Sequence, residues 1–219
     1  MMLCIGDVLD REQVAGLRAE IDTLAFVDGR ATAGWAARLV KNNEQAEAGT
    51  RVDALRKRIA SHITDNELFQ IAVRPKALTP LLISRYWQGN QYGAHVDDAL
   101  MQGMRTDISF TLFLSEPDSY DGGELVIETN AGEQPFKLSA GSMILYPSST
   151  LHRVAPVERG SRLAAVGWAR SYVRSPEQRE ILFDLETVRR DMFEREGKSN
   201  AFDLLSKCSS NLLRAWADD

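Results

Sequence analysis

The chain has 219 residues, of which 44% are apolar, and its 26 basic and 31 acidic side chains leave a net charge of −5. This balance is ordinary for a globular protein, and the lack of a basic surplus argues against nucleic acid as a partner. No apolar run approaches the about 20 residues that span a bilayer, and no signal peptide is visible, so we expect no membrane partner. The two cysteines, Cys4 and Cys208, have neither a metal-binding nor a redox spacing, which favours a cytoplasmic setting.

Helical spacing dominates the first third of the chain. Asp10 with Gln13 three residues later is typical of a helix start, and apolar residues follow it at helical spacing. Two further helices are predicted, one around residues 52–59 and one from residue 64 to residue 71. We therefore predict a mostly helical N-terminal region over residues 1–79.

The middle of the chain has the pattern of β-structure. Short segments with β-branched or alternating apolar residues recur about every ten residues, separated by turn residues such as Asp121-Gly122-Gly123. The predicted strands cover residues 81–87, 106–114, 124–129, 134–138, 142–146, 150–154 and 162–172. This spacing is typical of an antiparallel sandwich or barrel, so we predict a β core over residues 80–174.

Helical spacing returns in the C-terminal extension over residues 175–219. Ser175 before Pro176 is a good helix start, and a second helix follows an interruption at residues 197–200. No repeat, low-complexity segment or linker is visible. We therefore predict one mainly β domain with flanking helices (α+β), whose C-terminal helices cover the barrel or form a homo-oligomer interface.

The chain has three histidines, and the spacing around one of them suggests a metal site. In an extended segment His95 and Asp97 point to the same face, so that both can ligate one metal ion. For the third ligand we choose His152, which lies in a strand-like segment, over His62, which lies in helical sequence. Two histidines and one carboxylate leave coordination positions free, as in non-haem Fe(II) oxygenases.

A candidate anion-binding residue, Arg162, follows His152 across the turn at residues 157–160. In an antiparallel hairpin this arginine would lie on the neighbouring strand. If its side chain points inward, the planar guanidinium can bind a carboxylate through two parallel hydrogen bonds. A dicarboxylate bound to iron at one end and to Arg162 at the other describes 2-oxoglutarate.

Longer motifs surround these residues. They are the run Tyr86-x-x-Gly89-x-x-Tyr92-x-x-His95-x-Asp97, the turn and strand at residues 121–125, and the stretch from Gly141 to Trp168 that contains His152 and Arg162. Together they resemble the prolyl 4-hydroxylase-type 2-oxoglutarate oxygenases. The segments at residues 28–34 and 40–43 and the C-terminal helices are similar to the bacterial PKHD-type hydroxylases in particular.

This resemblance implies a double-stranded β-helix, which is a cupin-like jelly-roll barrel. It implies iron held by His95, Asp97 and His152, and 2-oxoglutarate held through its distal carboxylate by Arg162. Tyr86 is the expected second contact for 2-oxoglutarate. Some relatives carry a tyrosine hydroxyl on the later strand, and the matching residue here is Phe113, which has no hydroxyl. The resemblance also implies ascorbate as a reductant and a link to iron homeostasis.

We therefore predict a cytoplasmic Fe(II)- and 2-oxoglutarate-dependent dioxygenase that hydroxylates an unactivated C–H bond and releases succinate and carbon dioxide. Its substrate is a small molecule or a peptide, and the sequence does not identify it, since a fold does not set a function. One alternative is a non-catalytic sensor that binds iron and 2-oxoglutarate. Another is a cupin isomerase or hydrolase that uses manganese or zinc.

Overall fold

The computed structural model describes residues 1–218, which form five α-helices and two main β-sheets. The helices are α1 (Arg11–Ile21), α2 (Thr50–Asp65), α3 (Glu67–Val73), α4 (Pro176–Glu196) and α5 (Asn200–Trp216). The strands are β1 (Leu3–Ile5), β2 (Phe26–Asp28), β3 (Lys41–Asn42), β4 (Glu44–Ala46), β5 (Pro75–Leu78), β6 (Leu82–Trp87), β7 (Gln91–His95), β8 (Leu100–Met101), β9 (Met104–Arg105), β10 (Ile108–Phe113), β11 (Tyr120–Gly122), β12 (Leu125–Thr129), β13 (Gly132–Phe136), β14 (Met143–Pro147), β15 (His152–Val154) and β16 (Val157–Ser171). No helix of this part of the chain is long and apolar enough to cross a membrane.

Side chains at the helix starts satisfy backbone N–H groups that have no partner within the helix. Asp10 and Gln13 form the predicted reciprocal pair at the start of α1, and Ser175 caps α4 with Pro176 in its first turn. The predicted start of the third helix at Thr64 is wrong, because Thr64 lies in the last turn of α2. Asn66 caps α3 instead, by accepting a hydrogen bond from a backbone N–H of the next turn.

Two antiparallel sheets form the barrel. The main sheet has the order β1-β14-β10-β16-β6-β4-β2, with β5 and β11 also paired to β16, and the second sheet has the order β13-β12-β15-β7-β3. The chain crosses between the two sheets several times, as in a jelly roll. The predicted mainly β fold with flanking helices is therefore confirmed.

Apolar side chains pack on both faces of the main sheet. The larger core joins this sheet to α1, α2 and α3, where Ile59 and Phe110 are fully buried. The smaller core lies between the two sheets and includes Ile127 of β12 and Ile144 of β14. Each such side chain contributes about 1.5–3 kcal/mol through burial, which gives the barrel interior rigid walls.

The N-terminal third contains more β-structure than its sequence pattern predicts. Residues 26–46 form β2, β3 and β4, and the chain passes from the second sheet to the main sheet at Asn43. The side chains of Lys41, Asn43 and Gln45 are buried while those between them are more exposed. These three inward-facing residues are polar, so an apolar pattern could not identify residues 41–45 as β-structure.

The position of β16 also differs from the sequence prediction. We expected Arg162 on a strand paired with the one that carries His152. In the structure β15 pairs with β7 and β12, whereas β16 pairs with β10 and β6 of the other sheet. Arg162 therefore faces the histidine strand across the barrel, and its backbone register partner is Tyr86.

Candidate functional site

The three predicted metal ligands lie together at one end of the barrel interior. His95 on β7 and His152 on β15 are direct register partners in the second sheet, and Asp97 follows β7 in the chain. The ligand atoms of these three residues all lie within 4.8 Å of one another, and His152 Nε2 is 3.8 Å from Asp97 Oδ2. Two imidazoles and one carboxylate at this separation could hold a metal ion on one face.

Backbone carbonyl groups orient both histidine rings in the same way. His95 Nδ1 lies 2.8 Å from the carbonyl oxygen of Gly93, and His152 Nδ1 lies 3.0 Å from that of Thr150. Because a carbonyl oxygen only accepts hydrogen bonds, each Nδ1 carries the proton and each Nε2 keeps a free lone pair for a metal. Burial and the nearby His152 lower the pKa of His95, which keeps its ring neutral and able to bind a metal at neutral pH.

A serine on the opposite sheet fixes the carboxylate ligand. Ser109 on β10 donates a hydrogen bond of 2.5 Å to Asp97 Oδ2 and lies 2.9 Å from the hydroxyl of Ser148. Ser109 is buried, so this contact is shielded from solvent. The sequence analysis did not identify Ser109, because twelve residues and a change of sheet separate it from Asp97.

We expect the Ser109→Ala variant to bind Fe(II) about 10- to 100-fold more weakly than the wild type, although all three ligands are present. Without the hydroxyl, the Asp97 carboxylate can rotate away from the ligand geometry. Anaerobic isothermal titration calorimetry measures the affinity. Ser84→Ala is the matched control, since it removes a buried hydroxyl from the same sheet without touching Asp97. An equal loss in both variants would contradict a specific role for Ser109.

Arg162 points into the same cleft as the three ligands, although it lies on the opposite sheet. Its side chain is 1% exposed, and its guanidinium lies over the rings of Tyr86 and Phe113, at 5.1 and 5.5 Å from their centroids. Among residues 1–218 it makes no ion pair with a carboxylate, and its Nε has no hydrogen-bond partner. A buried cation of this kind requires an anionic partner, which a carboxylate ligand would supply.

Tyrosines line the cleft between the candidate metal ligands and Arg162. Burial raises the pKa of Tyr86 while the Arg162 charge opposes the rise, so the hydroxyl stays protonated and can donate a hydrogen bond. Phe113 has no hydroxyl, as expected. Tyr146 is a further buried tyrosine in the cleft, and burial together with the Asp97 charge raises its pKa well above the usual value. The sequence analysis did not assign Tyr146 to the site.

The remaining candidates lie at the edge of the site or outside it. His62 is partly exposed near the end of α2, among residues that do not line the cleft, as its helical context predicted. Asp98 is exposed and lines the mouth of the cleft. The cleft encloses about 760 Å³ of space between atoms, a volume that includes open solvent at its mouth.

Comparisons with known proteins match these features. A family model described as the 2OG-Fe(II) oxygenase superfamily matches residues 81–170. A PKHD-type hydroxylase of Synechococcus sp. strain JA-2-3B'a(2-13) is 56% identical over 223 residues, with 100% of both chains covered. Another PKHD-type hydroxylase, from Maricaulis maris strain MCS10, is 52% identical over 219 residues, again with 100% of both chains covered.

Solved structures show the same fold at low sequence identity. A prolyl-4-hydroxylase of Pseudomonas putida matches with a TM-score of 0.53 and 23% identity, over 78% of this chain and 92% of that chain. HygX from Streptomyces hygroscopicus, which was solved with nickel and 2-oxoglutarate bound, matches with a TM-score of 0.57 and 13% identity, over 78% of this chain and 84% of that chain. These likenesses confirm the predicted jelly-roll barrel.

Proposed function

We propose that this chain, which belongs to the PKHD-type hydroxylases and is thereby an Fe(II)- and 2-oxoglutarate-dependent dioxygenase, hydroxylates an unactivated C–H bond with release of succinate and carbon dioxide. The observation that supports this most directly is the cleft itself. It combines a two-histidine, one-carboxylate cluster with a buried arginine that has no carboxylate partner among residues 1–218. The donor set fits Fe(II), and the arginine fits a dicarboxylate co-substrate.

In this proposal His95, Asp97 and His152 hold the iron. Their ligand atoms lie within 4.8 Å of one another, and a metal held by only these three residues would keep coordination positions free for 2-oxoglutarate and dioxygen. When bound, iron and 2-oxoglutarate together supply the oxidation, in which one oxygen atom of dioxygen enters the substrate and the other enters succinate. The protein holds the ligands rigidly, through the two backbone carbonyl groups on the histidines and the Ser109 hydroxyl on Asp97.

We propose that Arg162 binds the distal carboxylate of 2-oxoglutarate and that the Tyr86 hydroxyl donates a second hydrogen bond to it. Both side chains are buried in the cleft and adjacent in register, so neither has to leave water when the co-substrate binds. The aromatic rings around the guanidinium hold it in place. This arrangement spends little conformational entropy on binding, because the donors are already ordered.

Apolar side chains close the walls of the cleft around this polar interior. Leu125, Val154 and Val166 line it together with Phe110. Their role in the proposal is to limit water near the metal, so that the oxidant reacts with substrate and not with the protein.

The proposal also covers the cellular location, reductant, substrate type and oligomeric state of the enzyme. We propose a cytoplasmic protein that uses ascorbate to keep iron reduced, acts on a small molecule or a peptide, and is linked to iron homeostasis. The exposed apolar residues Val188 on α4 and Leu204 on α5 are compatible with a homo-oligomer through the C-terminal helices. Sedimentation velocity distinguishes this state from a monomer.

The experiment that tests the proposed function is a succinate-release assay. Protein with Fe(II), ascorbate and 2-oxoglutarate should release succinate slowly in air without substrate, and faster with a substrate found by screening. Mass spectrometry should then show one added oxygen atom in that substrate. Tight binding of Fe(II) and 2-oxoglutarate with no succinate above a metal-free blank would instead show a sensor. Activity with manganese or zinc and no oxygen consumption would show a cupin isomerase or hydrolase.

A further inference from the structure

A row of polar side chains faces the barrel interior where the chain passes between the sheets. Lys41, Asn43 and Gln45 alternate along β3 and β4, and each is 4% exposed. Side chains two residues apart share a face of an extended segment, so all three point inward. All three line the same cleft as the candidate metal ligands and Arg162. The proposed roles of the metal ligands, Arg162 and Tyr86 leave this row without a function.

The ammonium group of Lys41 is buried and its direct contacts are neutral groups, while the charges of Asp97 and Asp28 act on it from a longer distance. Its Nζ donates a hydrogen bond of 2.9 Å to Thr32 Oγ1 and lies 5.0 Å from the centroid of the Tyr92 ring. Among residues 1–218 it makes no ion pair with a carboxylate. An ammonium group has three N–H donors, so at least one of them is left for a ligand. A buried, unpaired charge is strongly unfavourable, which is why such a group normally faces an anion.

The surroundings hold the Lys41 side chain in place. The Thr32 hydroxyl that accepts from Lys41 lies 2.8 Å from Gln45 Oε1, so a fixed chain of hydrogen bonds supports the ammonium group. On its other side the Tyr92 ring stacks on His95, with ring centroids 3.7 Å apart. The Lys41 ammonium is therefore held at a fixed place beside the candidate metal ligands.

Asn43 offers a second unused polar group in the same row. Its amide lies close enough to the Tyr86 hydroxyl to affect the pKa of that group. Neither its nitrogen nor its oxygen makes a hydrogen bond of normal geometry, although both atoms are buried. Buried amide groups without partners are rare in folded proteins, and one that lines a cleft can be satisfied by a ligand.

The charges of the cleft indicate what kind of ligand this row would hold. With Fe(II) and 2-oxoglutarate bound, the metal and Arg162 together balance Asp97 and the two carboxylates of 2-oxoglutarate. Asp98 is exposed at the mouth, and Asp28 is exposed and lies 3.8 Å from Arg30, so solvent screens both charges. The positive charge of Lys41 then has no negative charge in the cleft interior to balance it. One buried positive charge beside a neutral amide matches a group with one negative charge, as a carboxylate has, better than a doubly charged phosphate.

We propose that Lys41 and Asn43 bind a carboxylate group of the primary substrate, so that this enzyme hydroxylates a small carboxylic acid. The proposal rests on the proposed function for its reaction, and it adds the substrate class. The Lys41 ammonium and the Asn43 amide nitrogen donate hydrogen bonds to the carboxylate. The carbon chain of the substrate then extends from this row toward the metal, across the remaining space of the cleft.

Binding of matched acids and amides tests this substrate class without turnover. The protein is loaded with Fe(II) and 2-oxoglutarate under anaerobic conditions. It is then titrated by calorimetry with short aliphatic acids and aliphatic α-amino acids, each paired with its own primary amide. For at least one pair we expect the wild type to bind the acid about 10- to 150-fold more tightly, the range for one charge-assisted hydrogen bond. A panel in which no acid binds more tightly than its amide overturns the proposal.

The Lys41→Met variant should lose this preference for the acid, because it removes the charge and keeps most of the side-chain volume. Lys41→Gln, which keeps a polar group near Thr32, is measured beside it in case the methionine variant fails to fold. Lys57→Met, on the exposed face of α2, is the control and should keep the preference. A preference that survives both Lys41 substitutions overturns the proposal. Weaker binding of 2-oxoglutarate in the Lys41 variants would also overturn it, since Lys41 would then hold the co-substrate.

These outcomes are separate from those of the proposed function. The titrations need no oxygen and no reaction, so they report on the Lys41 row alone. Acid binding that depends on Lys41, with no succinate release in air, would leave the carboxylate site standing and reject the hydroxylase. Succinate release in air, without any preference for acids over amides, would support the oxygenase and reject the carboxylate site.

Discussion

Replacing His95 or Asp97 by alanine should reduce succinate release to the level of a metal-free blank and abolish tight Fe(II) binding. Loss of a group that only orients a ligand typically costs about 10- to 100-fold in affinity, so loss of a ligand should exceed that range. Both residues belong to a cluster whose three ligand atoms lie within 4.8 Å of one another, and no fourth His, Cys, Asp or Glu of residues 1–218 joins it. No other such side chain of residues 1–218 is therefore in place to substitute for the ligand that was removed.

The control for this result is His62→Ala. This histidine lies on α2 among residues that do not line the cleft, so the variant should keep the Fe(II) affinity and the succinate release of the wild type. Metal content is measured by atomic emission after dialysis, and succinate by chromatography. Wild-type activity in either ligand variant would show that the reaction does not occur at this cluster.

Replacing Arg162 by methionine should raise the KM for 2-oxoglutarate by about 30- to several-thousand-fold, which corresponds to about 2–5 kcal/mol for a buried charge-paired group. The guanidinium is 1% exposed and has no carboxylate partner among residues 1–218, so its favourable interactions form with the ligand. Methionine fills most of the space between the Tyr86 and Phe113 rings, which limits the effect on folding.

Two measurements make the Arg162 result specific. Arg162→Met should largely retain Fe(II) binding. The candidate metal ligands do not lie on the strand of Arg162: His95 and His152 are on the second sheet, and Asp97 follows β7. Arg170→Met removes an arginine from the same strand at a position that does not line the cleft, and should leave the KM for 2-oxoglutarate unchanged. An unchanged KM in Arg162→Met would remove this residue from the co-substrate site.

The elements that were predicted correctly are those whose own residues show a regular apolar spacing or a capping residue. The strand around residues 108–113 and the helix after Ser175 are examples, since the apolar residues of the strand and the capping serine of the helix can be read within each segment. The strands β3 and β4 were not predicted, because their inward-facing residues around Lys41 are polar and show no alternation of apolar and polar residues. The burial of Lys41, Asn43 and Gln45 reflects the cleft that they line and not a hydrophobic core.

The same distinction separates the parts of the candidate site. His95 and Asp97 could be paired from the sequence, because period-two alternation is a property of any extended segment. Ser109 could not, because its contact with Asp97 depends on how two sheets face each other. A buried lysine without a carboxylate partner is likewise a property of the folded chain, since the sequence does not show which charges meet.

The sequence by itself determined which donor atoms this protein has and predicted an antiparallel barrel, and the resemblance of its motifs to a known family implied a jelly-roll oxygenase. Only the tertiary structure decided where these groups stand relative to one another. Arg162 faces the histidine strand from the opposite sheet, and not from a paired strand, because contacts between distant segments select the strand pairing. The same contacts bury Lys41 beside the candidate metal ligands, because closing the barrel brings residues 41–45 against both sheets.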